Sequence, residues 1–325
     1  MTTTRRLFCS AALAAAFRPG AAPAQPVFPS RPIRLLVPYA AGGGTDAVAR
    51  LVAQGMGERL GHTVVVENSG VAGGNLATQQ AASAPPDGYT VLMANQGPMV
   101  VNQHLFKTLK VDPLSAFDPL VLIAAVPLMV VVRQDSPHAT LRDLVDAARE
   151  RPGEVVYGSP GNGSAGHLAT VLLAQTARLD MVHVPYRGAA PALTDLLGGR
   201  TSVLVTTLPS VLGQLRAGKA RALAVTSKAR PRLFPEVPTV AELGWSGFEV
   251  TAWYGFVVPR GTPPGIADTL RAATLATVAD PAVRARLEGE GGEVIGAGPE
   301  AFAAMMRAES ARWAEIVARG GITAD

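Results

Sequence analysis

The sequence is poor in the residues on which most side-chain chemistry depends. It holds one cysteine, Cys9, in 325 residues. That cysteine falls inside an N-terminal stretch that reads as a removable leader. The remaining chain would then have no disulfide, no cysteine nucleophile and no thiolate metal site. The five histidines are His62, His104, His138, His167 and His183. No two stand at i, i+4 and His-Glu-x-x-His is absent, so a zinc centre has no ligands at the expected spacing. Charged residues are only 17% of the chain and aromatics 5%. Of the 29 basic residues, Arg5, Arg6 and Arg18 leave with the leader; the other 26 face 25 acids, a balance that excludes an electrostatic nucleic-acid partner. No apolar run approaches the ~20 residues that span a bilayer.

Residues 1–24 read as a secretory signal. Arg5-Arg6 is its basic start, Leu7 to Phe17 its short apolar run, and Ala22-Pro23-Ala24 a small-residue cleavage site that leaves Gln25 first. Thr4 to Phe8 partly resembles a twin-arginine signal, with Sec export the open alternative. The expected location is the periplasm, an oxidising compartment on which a thiol-free chain does not depend.

What the chain has is apolar residues and glycine: 48% hydrophobic, with 34 glycines. That supplies a sizeable core, and the length accommodates two domains. A unit of strand, glycine loop and helix recurs along it, the mark of a parallel sheet with crossover helices, in which ligands lie beyond the carboxyl ends of the strands. The organising unit is Ile33–Val37, then Tyr39-Ala40-Ala41-Gly42-Gly43-Gly44, then a helix that Thr45 or Asp46 is expected to cap and Gly61 to end. Glycine amides and a helix N-terminus together suit an anion, most simply a carboxylate. Gly44 is followed by Thr45 and not Lys, and Ala47 stands where a dinucleotide fingerprint needs its last glycine, so a nucleotide site is disfavoured.

The same scheme returns at Thr63–Glu67, at Tyr89–Ala94 with a loop at Asn95-Gln96-Gly97-Pro98, and at Val155–Tyr157 with a loop from Ser159 through Gly161, Asn162, Gly163 and Ser164 to His167. It returns again at Met181–Val184, before Tyr186-Arg187-Gly188-Ala189-Ala190, and at Val203–Thr206, before Thr207. Thr140 is expected to cap a helix, with Asp143 completing a capping box. Met129–Arg133, set off by Pro127, and Trp253–Val258 read as two segments crossing between units. The helical tail is expected to pack back on the first unit.

Asn162-Gly163-Ser164-Ala165-Gly166 is similar to a nucleophile elbow, but Asn162 replaces its first glycine. Ser164 therefore reads as a hydroxyl at a helix start, and His167, one turn on, as a loop-fixing residue rather than a base. Asp46 reads as a helix cap or as an acceptor for a ligand ammonium. Arg187 is either solvated or a clamp on a second carboxylate. Tyr39 and Tyr186 either line the cleft or pack under their loops.

Val37 to Asp46, Val64 to Asn68, Ala72-Gly73-Gly74, Pro86-Asp87-Gly88-Tyr89-Thr90, His183 to Gly188, Arg221 to Ser227 and Val237-Pro238-Thr239 resemble, in order and over the whole mature chain, the Bug family of extracytoplasmic solute receptors for tripartite tricarboxylate transporters. The usual Arg-Pro-Gly-Ala-Gly-Gly is here Ser69 to Gly74, without the arginine, and Asn95 to Met99 departs from a Thr/Ser-rich loop. The resemblance implies an α/β two-domain periplasmic binding protein, a type II-like Venus flytrap with two crossing hinge segments. Residues 25–128 plus 254–325 would form one domain and 129–253 the other. It further implies a small carboxylate ligand, no cofactor and no metal, no catalysis, a monomer, and a partner in the membrane. The implied binding residues are Tyr39, Ala40, Gly42 to Asp46, Asn95, Ser159, Gly161 to Ser164, His167, Tyr186 to Ala190 and Thr207. A sensor partner of a signalling system and an exported hydrolase using Ser164 and His167 are the rival expectations.

Overall fold

One strand belongs to both halves of the molecule. In the computed structural model, which describes residues 28–107 and 109–320, the strand Phe117–Arg133 runs unbroken for 17 residues. The expected leader and its cleavage site lie outside the described residues. Ten strands form a single hydrogen-bonded system: β1 (Ile33–Val37), β2 (Val64–Asn68), β3 (Thr90–Ala94), β4 (Phe117–Arg133), β5 (Val156–Ser159), β6 (Val182–Pro185), β7 (Val203–Thr207), β8 (Ala220–Val225), β9 (Thr251–Pro259) and β10 (Glu293–Ala297). Their order is β2-β1-β3-β9-β4-β7-β5-β6, with β10 and β8 also on β4. Residues 117–127 of β4 pair antiparallel with β9, and residues 128–133 with β7 and β8. Beyond them, β1 with β2 and β3, and β5 with β6 and β7, are the expected parallel pairs.

Pro127 does not break β4, contrary to the sequence expectation. It stands where the partner changes from β9 to β7, at the end of one ladder and before the next, a place where a missing N–H is tolerated. The return crossing is tied at the same level: Thr226 N–H donates to the Leu128 carbonyl and Val250 N–H to the Thr226 carbonyl. β4 is buried on both faces, which is why it reads as a continuous apolar run. Val130 and Val132 face Leu141 and Leu144 of one helix layer, and Met129 and Val131 face Leu196 and Val211 of the other, following the two-residue period of a strand.

Among the described residues eleven α-helices surround the sheet: α1 (Gly44–Leu60), α2 (Asn75–Ala82), α3 (Asn102–Leu105), α4 (Pro113–Ala116), α5 (Leu141–Glu150), α6 (Ala165–Ala177), α7 (Ala189–Leu197), α8 (Leu208–Arg216), α9 (Pro264–Ala279), α10 (Pro281–Gly289) and α11 (Pro299–Gly320). α1 starts at Gly44 with Gly43 as its cap, so neither Thr45 nor Asp46 caps it. Asp46, in the first turn, instead reaches back to the Gly42 amide. Gly61 does end α1 in the left-handed region, and Thr140 with Asp143 forms the expected capping box on α5. The segment after Asn95 is not a loop: Gly97–Val101 forms a wide helical turn leading into α3, with Pro98 in its first turn, where no amide donor is needed. α11 packs Phe302, Met306 and Trp313 on this segment's Met99, Val100 and Leu105, which joins the tail to the first half as expected.

Candidate binding cleft

The loops at the carboxyl ends of the strands meet between the two halves of the sheet. There they enclose a cavity of about 40 Å³. A single water needs ~10–15 Å³ on this measure, so there is room for a small molecule and not for a nucleotide-sized cofactor. Nineteen of the described residues line it, and none of these carries a charged side chain. The electrostatic field comes from backbone instead. Gly43, Gly44 and Thr45 begin α1, Ala165 and Gly166 begin α6, Ala189 begins α7, and Thr207 and Ser210 lie at the start of α8. Four helix N-termini, each with a partial positive charge, thus converge on one small volume.

The polar side chains there are strongly buried and short of partners. Asn95 Oδ1, Gln96 Oε1, Thr206 Oγ1, Trp253 Nε1 and Tyr254 OH are all buried lining groups with no hydrogen-bond partner among the described residues. Tyr254 OH lies near Thr45 and Thr207 without reaching bonding geometry. Burial pushes the Tyr254 and Tyr39 hydroxyls above their ordinary pKa, so both remain protonated donors. Buried polar atoms are rarely left unpaired, and a concentration of them in one cavity marks a place for a ligand's own polar groups.

The glycines of the first loop have different tasks. Gly42 adopts φ 86°, a left-handed conformation that side chains resist. Gly44 is required for space: a Cβ there would lie 2.7 Å from Thr207 Oγ1 and 3.0 Å from Ser210 Oγ, and its amide donates to Ser210 Oγ at 2.8 Å. That bond, and one from the Ala40 amide to the Arg187 carbonyl at 3.0 Å, join the two halves across the cleft.

Of the residues expected from the sequence, Tyr39, Ala40, Gly43, Gly44, Thr45, Asn95, Ala189 and Thr207 line the cavity. The others stand behind it or at its rim. Asp46 is 5% exposed and fully engaged: it accepts from the Gly42 amide, Arg50 Nε and Asn68 Nδ2. Burial opposes its charge, but these three bonds outweigh burial and hold the carboxyl below its ordinary value. It fixes the loop and is not turned to a ligand ammonium. Ser159 Oγ is bonded to His183 Nε2 at 2.7 Å and to Gly161 of its own loop. Ser164 caps α6 by accepting from the His167 amide. His167 Nδ1 accepts from the Gly163 amide, and its ring stacks on His183 at 4.2 Å, which in turn stacks on Tyr157 at 4.7 Å. Burial holds the His167 ring neutral down to about pH 3 and the His183 ring down to about pH 4. Ser164 and His167 are therefore a cap and a prop, with no hydrogen bond joining their side chains among the described residues. Asn162 lies against Gly73 of the first half. Tyr186 donates to Asp195 Oδ2 at 2.7 Å and packs under its own loop. The exposed Arg187 meets the first half through its carbonyl, while Gly188 and Ala190 touch Ala40 and Gly42.

Sequence reasoning missed Gln96, Thr206, Ser210, Trp253 and Tyr254, together with the apolar lining from Leu128, Pro160, Ala165 and Ala252. One signal was available. Trp253-Tyr254 is an adjacent aromatic pair, each with a polar tip, in a chain of few aromatics and on a segment already read as crossing between the halves.

The model of the tripartite tricarboxylate transporter family receptor, TctC, matches residues 48–322. The chain belongs to this family. Among the relatives of this TctC-type chain is the protein BugT of Bordetella pertussis, 34% identical over 295 residues and covering 90% of each chain. Among solved structures, Rpa4515 of R. palustris with adipate is 35% identical, with a TM-score of 0.88 over 91% of this chain and 99% of that one. MatC (Rpa3494) from Rhodopseudomonas palustris with bound malate is 33% identical, with a TM-score of 0.86 over 89% and 100%. The expected Bug-type membership and the two-lobed α/β binding-protein fold are thereby met. TctC-type proteins are solute-binding receptors, and no helix among the described residues is long and apolar enough to cross a membrane.

Proposed function

We propose that this chain is an exported, monomeric receptor that closes on a small carboxylate and presents the closed form to the membrane subunits of a tripartite transporter, with no catalytic step. One observation carries the reading: four helix N-termini and a set of unpartnered polar side chains face a cavity that no charged side chain lines. Such a site attracts an anion, and its described lining holds no carboxylate, imidazole, amine or thiol to act as an acid or base. Residues 25–128 plus 254–325 would move as one domain and 129–253 as the other, with the hinge where β4 changes partners and where Thr226 ties Leu128 to Val250. Ligands bound to relatives, adipate and malate, support the carboxylate class. The leader and the family together support the periplasm.

Because a ligand that binds only the folded, closed form stabilises it by mass action, a cognate carboxylate raises the melting temperature. The test is a thermal-shift panel of mono-, di- and tricarboxylates on the mature protein, followed by calorimetry on any hit. A flat panel with no heat would remove the carboxylate reading. Co-purification with the membrane subunits, dependent on the same ligand, tests delivery.

A further inference from the structure

Gln96 is 3% exposed and sits between the end of β3 and the helical turn that starts at Gly97. Its Nε2 donates to Glu309 Oε2 of α11 at 3.1 Å. Trp313 Nε1, one turn further along the same helix, donates to that same oxygen at 2.9 Å. An indole N–H can only donate, so Glu309 Oε2 is an acceptor, and the amide of Gln96 must turn its NH₂ toward it. Arg312 beside the other oxygen, at 3.5 Å, balances the charge of the carboxylate. The orientation of Gln96 is therefore set by chemistry, and its Oε1 is the atom left buried with no partner among the described residues.

A bare carboxylate does not complete this cavity. Its oxygens only accept, which suits the helix amides, Trp253 Nε1 and Tyr254 OH, but leaves the Gln96 carbonyl unpaired beside an anion. A ligand that completes the site carries a donor next to its carboxylate. An ammonium group would meet four positive helix ends and no charged lining side chain, whereas a hydroxyl meets no such opposition. Building on the carboxylate reading, we propose that the receptor selects hydroxy-substituted carboxylates over their unsubstituted parents, with Gln96 Oε1 accepting from the ligand hydroxyl and Glu309 as the positioning residue that holds that oxygen in place. Sites built to pair a hydroxyl discriminate strongly against analogues that lack it.

The experiment is calorimetry of the mature protein with three matched pairs, glycolate and acetate, lactate and propionate, malate and succinate, plus aspartate as the ammonium counterpart of malate. The expected result is at least one hydroxy acid binding about tenfold or more tighter than its parent. Gln96→Met, of similar volume but without a carbonyl acceptor, brings that ratio close to one, whatever it does to the affinity for the parent acid. Glu309→Gln, which can offer its own NH₂ to Gln96, lowers the ratio without abolishing binding. Equal binding of parent and hydroxy acid by the wild type overturns the proposal while leaving the carboxylate reading intact, and that comparison needs no variant to fold. A ratio that survives Gln96→Met, or aspartate binding tighter than malate, overturns it as well. If no acid in the set binds, this proposal falls, and the carboxylate reading is decided separately by the wider thermal-shift panel.

Discussion

Gly42-Gly43-Gly44 and Gly161-Asn162-Gly163 both follow a buried strand and both open a helix, yet they direct their polar groups oppositely. The first keeps its side chains small and lays Gly43 and Gly44 along the cavity, with Asp46, Arg50 and Asn68 holding it from behind. The second turns its polar groups on itself. Ser159 pairs with His183 and Gly161, Gly163 with His167, and Ser164 with the start of α6, so only Pro160, Ala165 and Gly166 of that region face the cavity. On the carboxylate reading proposed above, one loop is the anion cradle and the other the wall against which it closes. Glycine content alone does not separate the two; what separates them is whether histidine and serine lie near enough to satisfy the loop internally.

The sharpest way to break this comparison is Gly44→Ala. The added Cβ would meet Thr207 and Ser210 only when the halves are together, while alanine favours the helix it starts. Ligand affinity is expected to fall on the order of 100-fold, about 3 kcal/mol, with the melting temperature of the ligand-free protein unchanged. Calorimetry and unliganded melts check the two halves of that statement.

The wall loop predicts the reverse pattern. Ser164→Ala removes a helix cap worth about 1 kcal/mol, which lowers the melting temperature by about 2–4 °C. Ligand affinity then changes far less than in Gly44→Ala, and a larger loss of affinity than of stability would show that Ser164 touches the ligand.

Acid pH sharpens the same point. His167 and His183 are neutral in the fold down to about pH 3 and pH 4, whereas in the unfolded chain they protonate at their ordinary 6.5. Above pH 6.5 neither state takes up these protons and stability is unaffected. Below it the unfolded chain binds protons that the fold refuses, so stability declines as pH falls from about 6.5 toward about 4. Melts across that window should show a slope that flattens in the double variant His167→Gln, His183→Gln. The smallest effect is expected for Arg187→Ala. The side chain is exposed and absent from the lining, so affinity should change less than about threefold, under 1 kcal/mol; a tenfold loss would restore the clamp reading.

The fold was largely legible because its signals are local. Apolar strands such as Leu35–Val37, the glycine at the end of α1 and the Thr140–Asp143 box each declare themselves within a few residues. The start of α1 was misplaced because Asp46 pairs backward with Gly42 instead of capping forward, and both arrangements leave the same residues near the turn. Pro127 was misread because its tolerance depends on a change between partner strands that lie far away in sequence, β9 paired through Thr251 and β7 through Thr207. The cavity was half legible. Residues on loops after predicted strands were found; Gln96, Thr206 and Trp253 were not, because their unpaired atoms are defined only by what the folded chain fails to supply.

The strand shared by both halves, β4, has a mechanical meaning. A receptor whose lobes hang on flexible loops swings freely, but here one connection is a single continuous strand that hands over from one hydrogen-bonded ladder to the next as it passes between the lobes. On the two-domain reading proposed above, opening would twist a continuous ribbon, and a twisted ribbon stores energy as the square of the angle through which it is turned. On that reading the molecule works less like a door on a pin than like a pair of sprung tweezers, with a restoring force set by the residues of β4.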